Sequence, residues 1–325
     1  MPPTKSRKTR ARSARVAKAQ TRVLTWFDAH GRRFPWRETR DPYRTMVAEV
    51  MLQQTQTGRV APAYEAFLQR FPTLDGLARA PAIDVIQAWR GLGYNRRAVD
   101  LHRAAQTIAG EHGGVYPREP ATLRRLPGLG EYTAGAIACF AFDAQVPVVD
   151  TNVRRVLARA ALGKDPVEVD AARVTGLAAD WLPDGDAYRW NQALMDIGAM
   201  VCRLSKPLCP TCPLRAECAY HAKGRHHAPP ARPSRSSEPY EGSRRQARGT
   251  IVDHLRRAAR TGVTIGELAR RMDPDGNGTD LHRLVEILAK LESEGLAELT
   301  PGARNGSARG LVRLPSGKRV KAAKR

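Results

Sequence analysis

The stretch LPGLGEYTAGAIACFAFDAQVPVVD, residues 126–150, combines a tight glycine turn, an apolar helical run and a carboxylate. Gly128 and Gly130 follow a proline, and glycines in such a turn let the backbone approach a ligand closely. An apolar helical run over 134–142 follows at once, so the turn directs several unpaired N–H groups at one spot that suits a phosphate. Two interpretations stay open here. The stretch is either a phosphate-binding hairpin followed by a functional carboxylate, Asp150, or an ordinary helix hairpin in which Asp150 is only an N-cap.

Size and charge narrow the class of protein. The chain has 325 residues, enough for two domains, and a formal net charge of +22, which points to nucleic acid before membrane as the partner. It contains no apolar run of the roughly 18 residues that a transmembrane helix needs. The basic N-terminus lacks the apolar segment of a signal peptide. We therefore expect a cytoplasmic protein that associates with DNA and not with a membrane. We also expect it to be a monomer.

Composition and periodicity divide the chain. Residues 1–20 carry seven Lys or Arg and no acid, which predicts a disordered basic arm that either adds DNA affinity or only aids solubility. Residues 21–220 show helical periodicity nearly throughout and predict an all-α domain. Residues 221–245, rich in Arg, Pro, Ser and His, read as a linker. Residues 317–325 form a basic tail.

Residues 246–316 predict a smaller second module. Three amphipathic helical patterns precede two short strand candidates, 296–299 and 311–314, around a Gly-rich tip. Three helices and a β-hairpin are typical of a winged helix, which often binds DNA but in many proteins only packs against a neighbour. The predicted fold class is therefore all-α, followed by a small winged-helix-like α+β module.

Four cysteines form a compact cluster. Cys202, Cys209, Cys212 and Cys218 have the spacing C-x6-C-x2-C-x5-C, which can close around one metal centre. In a reducing compartment this clustering favours metal over disulfides. A single C-x2-C pair with one outlying ligand on each side favours a [4Fe–4S] cluster, with zinc as the alternative. The loop over 202–218 either presents basic side chains to a phosphate backbone or only stabilises the fold through the bound metal.

Several motifs together carry a family resemblance. LPGLGEYTAG (126–135), VVDTNVRRV (148–156) and the cysteine spacing are very similar to the helix-hairpin-helix DNA glycosylases with an iron–sulfur cluster. Within that superfamily the chain resembles the A/G-specific adenine DNA glycosylases, the MutY family, in FPWR (34–37), AEVMLQQTQ (48–56), GLGY (91–94) and WNQALMDIGAM (190–200). The resemblance covers roughly residues 20 to 220. It implies a two-module helix-hairpin-helix fold, a [4Fe–4S] cluster on the four cysteines, and double-stranded DNA containing a mispair as partner.

The resemblance implies catalytic roles for four residues. Glu49 would be the general acid that protonates adenine; it is a lone carboxylate on an apolar helix, where burial favours the protonated form, although a surface glutamate is the alternative. Asp150 would stabilise positive charge on the sugar, in surroundings that differ from those of Glu49. Asn152 would help hold the site, and Tyr132 would lie beside the sugar. The endonuclease III branch has a Schiff-base lysine at the position of Tyr132, so this chain should be a monofunctional glycosylase.

Other positions would bind the DNA. Base extrusion needs a residue that fills the gap, and by resemblance Gln54 would insert into the stack while Tyr94 would wedge beside the opposite base. The residues alone leave two alternatives open, in which Gln54 is only a solvent-exposed side chain at a helix end and Tyr94 is a residue of the hydrophobic core. The position after Tyr94 is often a second aromatic in the family, and here it is Asn95.

The adenine pocket and the phosphate site complete the implied set. Trp36, Arg37 and Gln192 would line the pocket, and an amide such as that of Gln192 offers both a donor and an acceptor to a purine edge. Gly128 and Gly130 would provide the backbone amides that hold a phosphate.

The C-terminal region departs from the family pattern. Many members carry there a nudix-like domain that reads 8-oxoguanine, whereas residues 246–316 are too short for one and resemble a winged helix. Reading of the opposite base would then rest on Gln54 and Tyr94 in the catalytic domain.

The sequence thus supports one main hypothesis and two alternatives. The main hypothesis is a base-excision repair enzyme that flips adenine from a mispair with 8-oxoguanine or guanine and hydrolyses its N-glycosidic bond. A thymine-mismatch or other base glycosylase of the same superfamily is the nearest alternative. An iron–sulfur redox-sensing DNA-binding regulator is the alternative from another class, and such a regulator has no use for Glu49 and Asp150.

Overall fold

The computed structural model describes residues 7–225, 240–258, 260–272 and 280–316. The predicted tail over 317–325 and most of the predicted linker lie outside the described residues.

Helices make up the regular structure of residues 7–225. In chain order they are α1 (Arg7–His30), α2 (Pro42–Leu52), α3 (Thr57–Arg70), α4 (Leu74–Arg79), α5 (Ala82–Ala88), α6 (Arg96–Glu111), α7 (Pro120–Leu123), α8 (Glu131–Phe142), α9 (Thr151–Leu157), α10 (Ala171–Trp181), α11 (Ala187–Asp196) and α12 (Ala219–Ala222). Single π turns, Ala158–Leu162 and Ile197–Val201, continue α9 and α11. The prediction of an all-α fold for this part of the chain is confirmed.

The predicted disordered arm needs a correction, because α1 begins at Arg7. Val16, Ala19 and Val23 recur at helical spacing, and Ala19 and Val23 are fully buried in the core formed with α8 to α11. Arg15 donates a hydrogen bond from Nη2 to the carbonyl of Ala160 at 2.9 Å. The basic charge of this segment concealed a narrow apolar stripe, which is enough to fix a helix once tertiary packing is available.

The chain forms two compact units. The first comprises residues 1–45, 118–124 and 130–236, and the second comprises 46–117, 125–129 and 237–325. This division by contact differs from the sequence-based boundaries, which rested on composition. The first unit has its own core, in which Val156, Trp181 and Trp190 are buried.

The second unit contains the C-terminal module. Its elements are α13 (Arg244–Ala258), β1 (Val263–Thr264), α14 (Ile265–Met272), α15 (Leu281–Ser293), β2 (Glu298–Leu299), α16 (Pro301–Arg304) and β3 (Leu311–Arg313). The strands pair antiparallel in the order β1-β3-β2, with Val312 opposite both Val263 and Leu299. This is the winged-helix arrangement that the sequence predicts, with a two-residue strand, β1, too short for the pattern to indicate.

The module shares its core with α5 and α6. Ile83, Ile86 and Val99 from these helices belong to the same buried cluster as Ile251 of α13 and Leu288 of α15. An apolar face of α5 and α6 is therefore covered by the module. In the part of the chain that the structure describes, no helix is both long and apolar enough to cross a membrane.

Candidate active site and DNA-binding loops

Glu49 belongs to the second unit and lies on α2, among side chains that are almost all apolar. Met46, Val47, Val50 and Met51 on the same helix are at most 1% exposed, and Glu49 itself is only 4% exposed. The structure therefore does not place Glu49 on the helix surface. A buried carboxyl group of this kind is a candidate general acid.

Asp150 lies in the first unit at the N-cap of α9. Its Oδ1 accepts a hydrogen bond from the backbone N–H of Val153 at 2.6 Å, and its Oδ2 accepts one from Asn152 Nδ2 at 2.9 Å. Burial raises the pKa of Asp150, while these hydrogen bonds and the charge of Arg155 act in the opposite direction. Asp150 is thus an N-cap and also a rigidly oriented, largely desolvated carboxylate, so the two interpretations of the sequence are compatible.

Arg155 connects this carboxylate to the cysteine loop. Its Nη2 donates to Asn152 Oδ1 at 2.8 Å and to the carbonyl of Gly198 at 2.7 Å, and its Nε donates to the carbonyl of Cys202 at 2.6 Å. A Cβ at Gly198 would lie 2.5 Å from the Cβ of Asn152, so only glycine fits there. Sequence reasoning assigned no role to Arg155 or Gly198, although both lie in stretches that carry the family resemblance.

The hairpin before α8 contains two glycines that differ in backbone conformation and in the space around them. Gly128 has φ of 75°, and a Cβ there would lie 2.7 Å from the Cβ of Asp100. Gly130 is the N-cap of α8 with φ of −78°, and a Cβ there meets nothing within 4 Å. Gly128 is therefore required by the fold, whereas Gly130 leaves open space for a ligand to approach the helix N-terminus. Tyr132 lies in the first turn of α8, half-buried against the first unit's core.

The three adenine-pocket candidates all lie in the first unit. Trp36 is buried and stacks on Phe34, with ring centroids 4.8 Å apart. Arg37 donates from Nη1 and Nη2 to the two carboxylate oxygens of Asp196 at 2.8 and 3.0 Å, so this fork fixes its guanidinium. Gln192 is buried on α11.

The neighbour of Gln192 positions the segment that leads to Asp150. Asn191 accepts a hydrogen bond from the N–H of Val148 at 2.9 Å and donates to the carbonyl of Val146 at 3.0 Å. The two bonds fix the extended chain just before Asp150. Sequence reasoning missed Asn191, since a single amide on a helix carries no signal of its partner.

Gln54 and Tyr94 lie at the tips of two loops of the second unit. Both have left-handed backbone conformations, with φ of 55° and 42°. Such a conformation is unusual for residues other than glycine and is found often at ligand-contacting sites. Tyr94 is 45% exposed, so it is not a core residue.

Arg97 braces both loops from behind. Its buried guanidinium donates to the carbonyl of Met51 at 2.8 Å and of Gln53 at 2.5 Å, and also to the carbonyl of Gly93 at 3.2 Å. Burial lowers the pKa of Arg97 to about 10, with the charge interaction of Tyr94 acting against this. The two tips are therefore held by one side chain, which no sequence pattern indicated.

The four clustered cysteines line one small cavity in the first unit. Cys202, Cys209, Cys212 and Cys218 surround it, together with Arg159 and Tyr220, whereas Cys139 is buried elsewhere. Arg159 directs Nη1 at the sulfur of Cys202 at 3.8 Å. Among the described residues, no three His, Cys, Asp or Glu side chains converge closely enough to hold a single metal ion. Four cysteine sulfurs around one cavity are a donor set that fits an iron–sulfur cluster, and zinc takes the same ligands.

The sequence of the chain is similar to those of known proteins. Residues 47–175 match the family model described as HhH-GPD superfamily base excision DNA repair protein. The chain is 42% identical over 247 residues to an adenine DNA glycosylase of Mycolicibacterium smegmatis, covering 76% of this chain and 83% of that protein. It is 43% identical over 257 residues to an adenine DNA glycosylase of Mycobacterium tuberculosis, covering 77% and 82%.

A solved structure supports the fold. The structure of a thermostable thymine-DNA glycosylase superposes with a TM-score of 0.62 at 30% identity, covering 66% of this chain and 99% of that one. The adenine-specific relatives are the more similar in sequence and extend over more of this chain. The chain therefore belongs to the adenine DNA glycosylase family of helix-hairpin-helix base-excision repair enzymes.

Proposed function

We propose that this adenine DNA glycosylase acts on adenine opposite 8-oxoguanine or guanine in double-stranded DNA and works as a monomer. The observation that carries the proposed mechanism is the carboxylate of Asp150, held at the N-terminus of α9 by Val153 and Asn152. A fixed negative charge at this position would stabilise the cationic sugar that forms as the base departs.

Each remaining candidate residue has a proposed part. Glu49, buried on α2, would protonate the extruded adenine and make it a better leaving group. Water would then complete the hydrolysis and leave an abasic site. Tyr132 has no amine and cannot form a Schiff base, so strand cleavage would not accompany base removal. Trp36 and Gln192 would contact the base, and Arg37 would shape the pocket through Asp196.

The DNA would be held by the hairpin and the two loop tips. Gly130 is the N-cap of α8, and the first N–H groups of that helix would favour a phosphate. Gln54 and Tyr94 would fill the space that the extruded base leaves. Their braced, strained backbones support this proposal, because a probe that enters a base stack must be rigid.

A [4Fe–4S] cluster is the proposed cofactor. Cys202, Cys209, Cys212 and Cys218 would hold it, and when bound it would supply a rigid cross-link in the loop and no redox step to the hydrolysis. The path from Cys202 through Arg155 to Asn152 would pass that rigidity to Asp150. Since its substrate is genomic DNA, we also propose that the enzyme is cytoplasmic and DNA-associated.

A single-turnover excision assay on four duplexes tests this function. The duplexes carry adenine opposite 8-oxoguanine, guanine or thymine, and thymine opposite guanine, each analysed with and without alkali. We expect alkali-dependent cutting at adenine in the first two only. Cutting without alkali would contradict the monofunctional mechanism, and removal of thymine would favour the thymine-mismatch alternative.

A further inference from the structure

Helix α13 of the C-terminal module lies beside the exposed tip of the Tyr94 loop. Arg245 donates from Nη1 to the phenolic oxygen of Tyr94 at 3.4 Å. Arg256 donates from Nη2 to Asn95 Oδ1 at 2.8 Å and from Nε to the carbonyl of Ile86 at 3.1 Å. These contacts all belong to the second unit, so the module is placed directly beside one of the two proposed DNA probes.

A groove lies between α13 and the two loop tips. Its volume is about 560 Å³, and Gln54, Tyr94 and Arg96 line one side while Arg245, Arg248 and Gly249 line the other. We call it the α13 groove. A groove of this volume is large enough to take a nucleotide-sized segment.

The charge of the α13 groove is positive. Its lining contains five arginines and two carboxylates, and each carboxylate is already paired: Asp100 with Arg96, and Glu294 with Arg248. Among the described residues, no carboxylate lies within ion-pair distance of Arg245, which is exposed. The groove therefore offers a cationic side chain to an anionic ligand at its mouth.

The usual DNA-reading surface of a winged helix is less suitable here. On α15, Arg283 and Lys290 are balanced by Glu286 and Glu292. Glu286 is paired with Arg244, and Glu292 with Arg304 of α16. The first turns of α13, RRQAR over 244–248, carry three arginines and no acid. Two of these arginines, Arg244 and Arg248, are ion-paired, and the third, Arg245, contacts the tip of the Tyr94 loop.

We propose that the α13 groove binds the sugar-phosphate backbone of the DNA strand opposite the target adenine, with Arg245 on a phosphate. None of the proposed catalytic or base-pocket residues lines this groove. Tyr94 lines the groove and is the residue proposed to wedge beside the opposite base, so the strand nearest the groove is the one opposite the adenine. This inference rests on the proposed function, because it takes Gln54 and Tyr94 as the probes.

The test uses Arg245→Ala with Arg309→Ala as its matched control. Both arginines are exposed in the same module, but Arg309 lies near the tip of the β2–β3 connection, outside the groove. Alanine favours the helix at position 245, so the fold should be kept. Arg248 is not a clean choice, since its removal would leave the buried Glu294 without its ion-pair partner. Arg245→Lys, which keeps the charge, is the rescue variant.

Binding is measured on an unreactive duplex with a 2′-fluorinated adenosine opposite 8-oxoguanine, as a function of salt. We expect Arg245→Ala to weaken binding roughly fivefold and to reduce the slope of log K against log salt by about 0.9, the value for one phosphate contact. Arg245→Lys should restore most of both, and Arg309→Ala should match the wild type. Equal losses in Arg245→Ala and Arg309→Ala would overturn the proposal.

A methylphosphonate scan identifies the strand. Replacing single phosphates by neutral methylphosphonates on the opposite strand should give one or two positions at which Arg245→Ala has no further effect. If such positions occur only on the adenine strand, the assignment is wrong. The wild-type excision assay is independent of this scan, so failure to excise adenine would count against the proposed function and not against the groove.

Discussion

Asp150 serves both as a helix cap and, in the proposed mechanism, as a charge, and one substitution separates the two roles. Asparagine caps helices about as well as aspartate, so Asp150→Asn should change the free energy of unfolding by no more than about 0.5 kcal/mol. It removes the negative charge, and we expect single-turnover excision to fall at least about 100-fold. Rapid-quench excision and thermal unfolding measure the two effects.

Asp170 provides the control for that substitution. It caps α10 in the same way, accepting a hydrogen bond from the N–H of Arg173 at 2.7 Å. Asp170→Asn should leave excision unchanged. Excision by Asp150→Asn within a few-fold of Asp170→Asn would show that Asp150 acts only as a cap.

Arg155 should contribute to the position of the acid limb of the pH–rate profile. Burial raises the pKa of Asp150, whereas the hydrogen bonds from Val153 and Asn152 and, after them, the charge of Arg155 lower it. Since the anion is the proposed active form, the rate falls as pH drops through that pKa. Arg155→Gln removes the opposing charge and should move the acid limb to higher pH, as measured by single-turnover rates across pH.

The neighbouring arginine is the matched control for this shift. Arg154 donates to the carbonyls of Pro166 and Val169 and makes no contact with Asn152 among the described residues. Arg154→Gln should therefore leave the acid limb where it is. An acid limb that stays in place in Arg155→Gln would argue that Asp150 is not the group that titrates.

Among the structural elements, the hairpin before α8 contains one glycine that the fold requires and one that we expect DNA binding to require. Gly128→Ala should destabilise the protein, because φ is 75° and its Cβ would collide with Asp100. Gly130→Ala has room for its Cβ in the free protein and should unfold at about the wild-type temperature. If DNA approaches the backbone here, Gly130→Ala should still weaken binding, as fluorescence anisotropy would reveal.

The two substitutions control each other. A stability loss in Gly130→Ala comparable to that in Gly128→Ala would mean that the hairpin needs both glycines for its own fold. Unchanged DNA affinity in a stable Gly130→Ala would remove this turn from the binding surface.

The sequence predicted the elements better than the contacts between them. Hydrophobic spacing found the helices of residues 21–220 and the strands near 298 and 311, because both patterns are local. Hydrophobic spacing did not predict the part of α1 before residue 21, because basic residues there outnumber the apolar residues of the buried stripe. The hydrogen bonds by which Arg97 holds the two loops, and Asn191 the segment before Asp150, were not predicted. Hydrogen bonds between distant segments produce no periodic pattern in the sequence.

In the candidate site, too, some residues could be predicted from the sequence and others only from their contacts. Glu49, Asp150 and the cysteines came from motifs, and the structure supplies their surroundings: burial for Glu49, two hydrogen bonds for Asp150 and one cavity for the cysteines. Arg155 and Gly198 emerged only from geometry, because their importance lies in which atoms they touch. Sequence motifs identify the residues that take part in the chemistry more readily than the residues that hold them in position.

At the scale of the whole molecule, the shared core makes the C-terminal module part of the second unit and not an appendage. Leu288 is fully buried in the cluster that also contains Ile86 and Val99. Leu288→Ala should cost about 2–5 kcal/mol by leaving a cavity. Because α5 and α6 pack on the same cluster, they should lose protection together with the module.

Hydrogen–deuterium exchange measures this coupling. In Leu288→Ala, amide protection should fall both in 246–316 and in α5 and α6, while α9 in the first unit keeps its protection. Leu281→Ala on the same helix is the control, because Leu281 is 44% exposed and its truncation leaves no cavity. A loss confined to 246–316 would show that the module unfolds alone. It would then be a separately folded domain, and its deletion would be harmless to α5 and α6.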